Sequence, residues 1–161
     1  MIPLIKRTVW LYAAMFCITT GVAQVNKEFN ANLPSEFHLN NGKKVTLNEL
    51  KGKVVLFDFW YRGCFPCLKA IPDLIQLQEE FKDHLVIIGL NDIDDKEDVS
   101  GYLEYKKANY FSTYKTNQNI SKELNIKVFP TLFILNQEGE HVKTILGFDE
   151  QELRNTIKSL L

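Results

Sequence analysis

The chain has 161 residues, 19 basic against 20 acidic side chains for a net charge of −1, and 45% hydrophobic residues. That length fits one domain with a real core, and that charge offers no polyelectrolyte face to nucleic acid or to an anionic membrane surface. Three cysteines, two of them close together, exclude a small scaffold stapled by several separated disulfides.

Lys6 and Arg7 precede an apolar stretch, Val9 to Thr20, and Gly21-Val22-Ala23 places small residues where signal cleavage requires them. Residues 1–23 are therefore expected to be a removed signal peptide, since the stretch falls short of the ~20 residues of a spanning helix; an uncleaved anchor is the alternative. Cys17 leaves with the signal, because bulky Phe16 precedes it where a lipoprotein signal wants a small residue. The mature chain keeps Cys64 and Cys67. Residues 24–34 are polar and patternless, fit for a tether, so the domain is expected over 35–161.

A hairpin is predicted over Phe37–Leu39 and Lys43–Thr46, because Asn40-Asn41-Gly42 supplies the positive φ of a tight turn. Leu47–Leu50 should form a helical turn. Val54–Trp60 is apolar at nearly every position, as befits a strand covered on both faces; Asp58 is the exception. From Cys64 to Phe81, Leu68, Ile71, Leu74, Ile75 and Leu77 recur near helical spacing, with Pro72 in the interior. Leu85–Leu90 is a second buried strand, and this alternation predicts parallel α/β structure. Asp92, Asp94, Asp95, Glu97 and Asp98 precede a helix carrying Val99, Tyr102 and Leu103, where carboxylates suit a positive helix end. A calcium loop is excluded because Glu97 stands where the loop needs glycine. Phe111–Lys115 is a short strand and Asn119–Leu124 a helical turn. Thr131–Leu135 and Val142–Leu146 form a closing hairpin. Asp149 with Glu152 forms a capping box for a last helix that buries Leu153, Ile157 and Leu160.

Function concentrates in Phe57–Pro72. Two thiols three apart can close a small disulfide ring, and if the helix starts at Cys64 its unsatisfied N–H groups favour the thiolate there. Cys64 is then the nucleophile and Cys67 the thiol that releases a mixed disulfide. A zinc site needs four ligands, and His38, His84 and His141 are scattered without ligand spacing. Haem attachment needs histidine after the second cysteine, and Leu68 stands there. A purely structural disulfide remains as an alternative. Asp58, costly to bury charged, should have a raised pKa. Arg62 has two readings, as a charge that lowers the Cys64 pKa or as a solvated side chain.

The pattern Asp58-Phe59-Trp60 followed by Cys64-Phe65-Pro66-Cys67 and Pro72 resembles thioredoxin. The lead-in from Phe37 to Trp60 is similar to the exported TlpA/ResA-like branch, which is AhpC/TSA-related, and so is the long segment between Leu90 and Pro130. The resemblance implies a thioredoxin-like α/β fold, a central mixed β-sheet flanked by helices with an N-terminal β-hairpin and a central insertion. It also implies that Asp58 accepts the Cys67 proton, and that the Phe129–Pro130 bond is cis and presents the Phe129 backbone to substrate. Phe129, Trp60 and Phe65 would then line the substrate surface, although Trp60 could equally be core. The chain departs from thioredoxin in three places: Gly63 replaces a tryptophan, Phe65 a glycine, and Gly89 a lysine near the buried acid.

The expectation is an exported, periplasmic thiol–disulfide oxidoreductase acting on protein thiols and disulfides. It would need no cofactor and no metal, and a membrane electron donor would keep it reduced if it works as a reductase. The alternatives are a thiol peroxidase, against which Tyr61-Arg62-Gly63 replaces the Thr-x-x motif before the cysteine, and a redox-inert module that binds extended peptides.

Overall fold

The alternation along Val54–Phe59 explains the architecture. In this computed structural model, which describes residues 33–116 and 119–161, all six residues of that strand are buried. Successive side chains point to opposite faces, so each face needs its own cover. Val54, Leu56 and Trp60 pack into one apolar cluster with Cys67, Ile71, Leu74 and Leu153. Val55, Phe57 and Phe59 pack into another with Phe37, Leu50, Ile120 and Phe133.

The strands are β1 (Phe37–His38), β2 (Lys44–Val45), β3 (Val54–Phe59), β4 (Leu85–Leu90), β5 (Phe111–Ser112), β6 (Thr131–Leu135) and β7 (His141–Leu146). The helices are α1 (Phe65–Glu80), α2 (Lys96–Tyr105), α3 (Ile120–Glu123) and α4 (Glu150–Ser159), with a 3₁₀ turn at Leu47–Leu50. The main sheet runs β5-β4-β3-β6-β7. β3, β4 and β5 are parallel, whereas β6 and β7 are antiparallel additions, so the sheet is mixed, as the resemblance implies. Its C-terminal β3 edge leads straight into the cysteine loop, the position where open α/β sheets place their sites.

The hairpin pairs Phe37 with Val45 around Gly42 at φ +83°, and Phe37 stacks 5.2 Å from Phe57. It thus covers the sheet face opposite α1. Leu33 is buried as well, so the tether drawn to residue 34 ends too late: the chain has already joined the core. Residues 1–23 and most of the tether lie outside the described residues. No helix among the described residues is long and apolar enough to cross a membrane.

Two local expectations change. Asp149 does cap α4, accepting from the Glu152 N–H at 2.9 Å, but Glu152 pairs with Lys143 at 2.7 Å instead of closing the box. The reciprocal box forms at Thr46 and Glu49. β5 is also shorter than predicted, because Thr113 turns its hydroxyl to the backbone of Asn91 and leaves the regular ladder.

Candidate active site

Helix α1 begins at Phe65 with Cys64 as its N-cap. Pro66 fits the first turn because the N–H it lacks would have no helical partner there. Cys64 and Cys67 form a disulfide with Cα atoms 5.3 Å apart. Cys67 is fully buried, while Cys64 keeps 5% exposure. The Cys67 N–H points at Cys64 Sγ at 3.3 Å, so that sulfur lies on a backbone donor at the positive end of a 16-residue helix.

Asp58, two residues from Leu56 and from Trp60 along the strand, faces the same side of the sheet as they do, the side that packs against Cys67. It is 1% exposed, and neither carboxylate oxygen has a hydrogen-bond partner. Burial pushes its pKa from 3.8 up to about 7, because an ion without donors or counter-charge is poorly solvated in an apolar interior. Its charge also helps to push the buried Tyr110 phenol well up, after desolvation as the larger cause.

Gly89 is paired with Asp58 across the parallel ladder, and the space over it is filled by Trp60. The indole N–H of Trp60 donates to Ser112 Oγ at 2.9 Å, and Ser112 in turn donates to the Thr113 carbonyl. A Cβ on Gly89 would lie 2.6 Å from both Trp60 Nε1 and Ser112 Oγ. Glycine is thus required at this position, because the Trp60 indole occupies the space that any side chain would take. Gly89→Ala should force this hydrogen bond apart and cost about 1–3 kcal/mol of overpacking. Urea titration together with Trp60 emission checks this; an unchanged midpoint would show that the sheet yields at no cost.

Trp60 is consequently corrected: at 1% exposure it is core and lines no substrate surface. Its polar edge finds a buried partner on β5, which leaves nothing to present outward. Phe65, by contrast, is 67% exposed, with Lys69 Nζ 4.7 Å from its ring centre. Phe129–Pro130 is cis. The Phe129 ring meets Tyr61 edge-on at 5.2 Å, which brings the Pro130 loop against the loop that leads into Cys64.

Arg62 stays exposed at 44% of its side chain, and its charge is shared with a neighbouring acid. Its guanidinium pairs with Asp98, and its backbone N–H donates to Asp94 Oδ2 at 2.7 Å. The acidic run therefore does more than suit a helix end. Asp95 caps α2 without a side-chain bond, Asp94 holds the cysteine loop, and Asp92 accepts from both the N–H and the hydroxyl of Ser121. These roles escaped the sequence reading, since carboxylates so close in sequence all look alike.

The chain matches the AhpC/TSA family over residues 23–143. The thiol-disulfide oxidoreductase ResA of Bacillus subtilis strain 168 is 32% identical over 108 residues, which are 66% of this chain and 60% of that protein. The ResA of Bacillus anthracis is 30% identical over 112 residues, 69% and 65% of the two chains. The match thus spans less than two thirds of these curated relatives' length. The thioredoxin domain of a thiol-disulfide oxidoreductase from Bacteroides vulgatus superposes with a TM-score of 0.67 at 30% identity, over 77% of this chain and 90% of that one. The exposed lipoprotein thioredoxin of Streptococcus pneumoniae strain TIGR4 gives 0.64 at 26% identity, over 78% and 98%. The fold is thioredoxin-like, and with a family match that reaches from the N-terminal hairpin through the cysteine pair to β7, the chain belongs to the AhpC/TSA family.

Proposed function

We propose that the protein is an exported thiol–disulfide oxidoreductase that exchanges the Cys64–Cys67 disulfide with protein disulfides and runs as a reductase. The observation that carries this is the pair itself: one sulfur at a helix start with a residual opening to solvent and the other buried one turn on, with an unpartnered buried carboxyl on the preceding strand. In the reduced protein the Cys64 thiolate attacks a substrate sulfur, and the first substrate thiolate leaves. Cys67 then gives its proton to Asp58 and attacks Cys64 Sγ, expelling the second thiolate. Two electrons pass from the cysteine pair to the substrate, and the ring closes. A pKa near 7 suits Asp58 to accept that proton at neutral pH.

Phe129, Pro130 and Phe65 border the substrate, docking it as an extended strand beside Cys64. A membrane electron donor restores the dithiol, and residues 1–23 direct export. ResA proteins are named for this chemistry, which supports the reading.

Direction follows from how far the Cys64 thiolate is stabilised. The donor to its sulfur is the Cys67 N–H, Phe65 and Pro66 add no side-chain donor, and Arg62 is engaged by Asp98. The Cys64 pKa is expected nearer the ~7 of thioredoxin than the ~3.5 of strong oxidants. Absorbance at 240 nm and equilibration against glutathione measure both properties. A pKa below ~5 with a potential above about −150 mV would make the protein an oxidase.

Insulin reduction driven by a dithiol donor, run beside a peroxide-consumption assay, tests the class. Insulin should precipitate and peroxide should persist. Peroxide consumption without insulin reduction supports the peroxidase, and neither activity supports the redox-inert module.

A further inference from the structure

The turn that delivers the nucleophile is fastened from outside. Cys64 N–H donates to the Tyr61 carbonyl at 3.0 Å, closing a turn with Arg62 and Gly63 at its centre. The N–H of Arg62 faces away from that turn and meets Asp94 Oδ2 at 2.7 Å. The same oxygen accepts from Asn91 Nδ2 at 2.8 Å. Asn91 is fully buried, and its Oδ1 receives the N–H groups of Ile93 at 3.0 Å and Asp94 at 2.9 Å. Its own backbone is locked to Thr113, N–H to Oγ1 at 2.9 Å and carbonyl from Oγ1 at 3.1 Å. Lys115 N–H closes on the Asp94 carbonyl at 2.9 Å. Asp94 is thus held to the end of β4 and to the segment after β5 before it reaches Arg62.

We propose that Asp94 is the positioning residue for the nucleophile, fixing the Tyr61–Gly63 turn and through it the direction of Cys64. The proposal rests on the thiol-exchange reading above. Asp94 touches neither sulfur; it acts through the Arg62 N–H. Its Oδ2 accepts two donors at once, so the Arg62 N–H is tied to an oxygen that the buried Asn91 amide already fixes in place. Attack on a disulfide is in line and directional, so a turn free to swing by an ångström reduces the productive fraction steeply. Asp98 has a separate task, because it meets the guanidinium and leaves the backbone alone.

The test compares Asp94→Ala, Asp94→Asn and Asp94→Glu in the full chain. The readout is the second-order rate at which the reduced protein opens insulin disulfides, followed with pH up to the plateau where Cys64 is fully thiolate. Asp94→Ala should lower the plateau about ten-fold or more. Asp94→Asn, whose amide oxygen can accept the same two donors, should stay within about two-fold of wild type. Asp94→Glu keeps the charge but moves the oxygens by a methylene, so it should be slow, and it carries the test if the alanine variant does not fold. A wild-type plateau in Asp94→Ala or Asp94→Glu overturns the proposal. So does an asparagine variant as slow as alanine, which would assign the effect to charge. A wild-type protein that opens no insulin disulfide overturns the thiol-exchange reading, and the positioning role with it.

Discussion

Replacing Asp58 by asparagine should remove a contribution to stability that the wild-type protein loses between about pH 4 and pH 7. The folded carboxyl holds its proton up to about pH 7, whereas the unfolded one releases it near 3.8. Between those values the native state binds more protons than the unfolded chain, so the unfolding free energy decreases as pH rises, and it levels off above the folded pKa. A shift of about three units corresponds to about 4 kcal/mol as an upper bound, at ~1.36 kcal/mol per unit. Asparagine does not titrate. Its buried amide carries its own cost of about 1–3 kcal/mol, but that cost is the same at every pH. Urea midpoints of the oxidised proteins at pH 4, 6 and 8 should therefore show wild type losing ground steadily relative to Asp58→Asn as pH rises, since the other shifted groups tilt both curves alike. Parallel curves would mean that Asp58 is solvated or paired in solution. The functional counterpart is slower release of the mixed disulfide with the first attack by Cys64 nearly intact.

The second large effect concerns Cys67→Ser. With the resolving thiol gone, the reduced variant should still attack a protein disulfide but remain joined to it. Cys67 is one helical turn from Cys64, and losing an intramolecular nucleophile so placed slows release by at least on the order of 100-fold. Non-reducing gels should show a persistent adduct that Cys64→Ser does not form. An adduct that appears equally in Cys64→Ser would reverse the roles of the two sulfurs. The burial of Cys67, which no solvent-borne disulfide can reach, argues against that reversal.

Local chemistry was legible where it was local. The apolar run of β3, the helix start at Cys64, the turn at Gly42 and the cap at Asp149 depend on residues within a few positions of one another, and the sequence pattern places each of them. The raised pKa of Asp58 also follows from one carboxyl in an apolar strand. What escaped depends on partners far along the chain. Trp60 is amphipathic, and whether its indole faces substrate or core was decided by Ser112, 52 residues away. Gly89 looked like a missing lysine; it is the gap through which Trp60 reaches Ser112. Arg62 had two open readings because Asp94 and Asp98, 32 and 36 residues on, are two of five neighbouring acids with nothing local to single them out. The Asp149–Glu152 box was half right because Lys143 on β7 competes for the Glu152 carboxylate, a pairing that exists only once α4 has docked.

The exchange itself is the central claim, and the most direct measurement counts it. The fully reduced protein is mixed with a protein disulfide, quenched with acid, and the peptide holding Cys64 and Cys67 is weighed while free substrate thiols are titrated. The account predicts one Cys64–Cys67 disulfide formed, seen as the loss of two hydrogens from that peptide, for each substrate disulfide opened, and no opening at all by Cys64→Ser. Substrate disulfides opened while that peptide stays in the dithiol form, or opened equally well by Cys64→Ser, would contradict it.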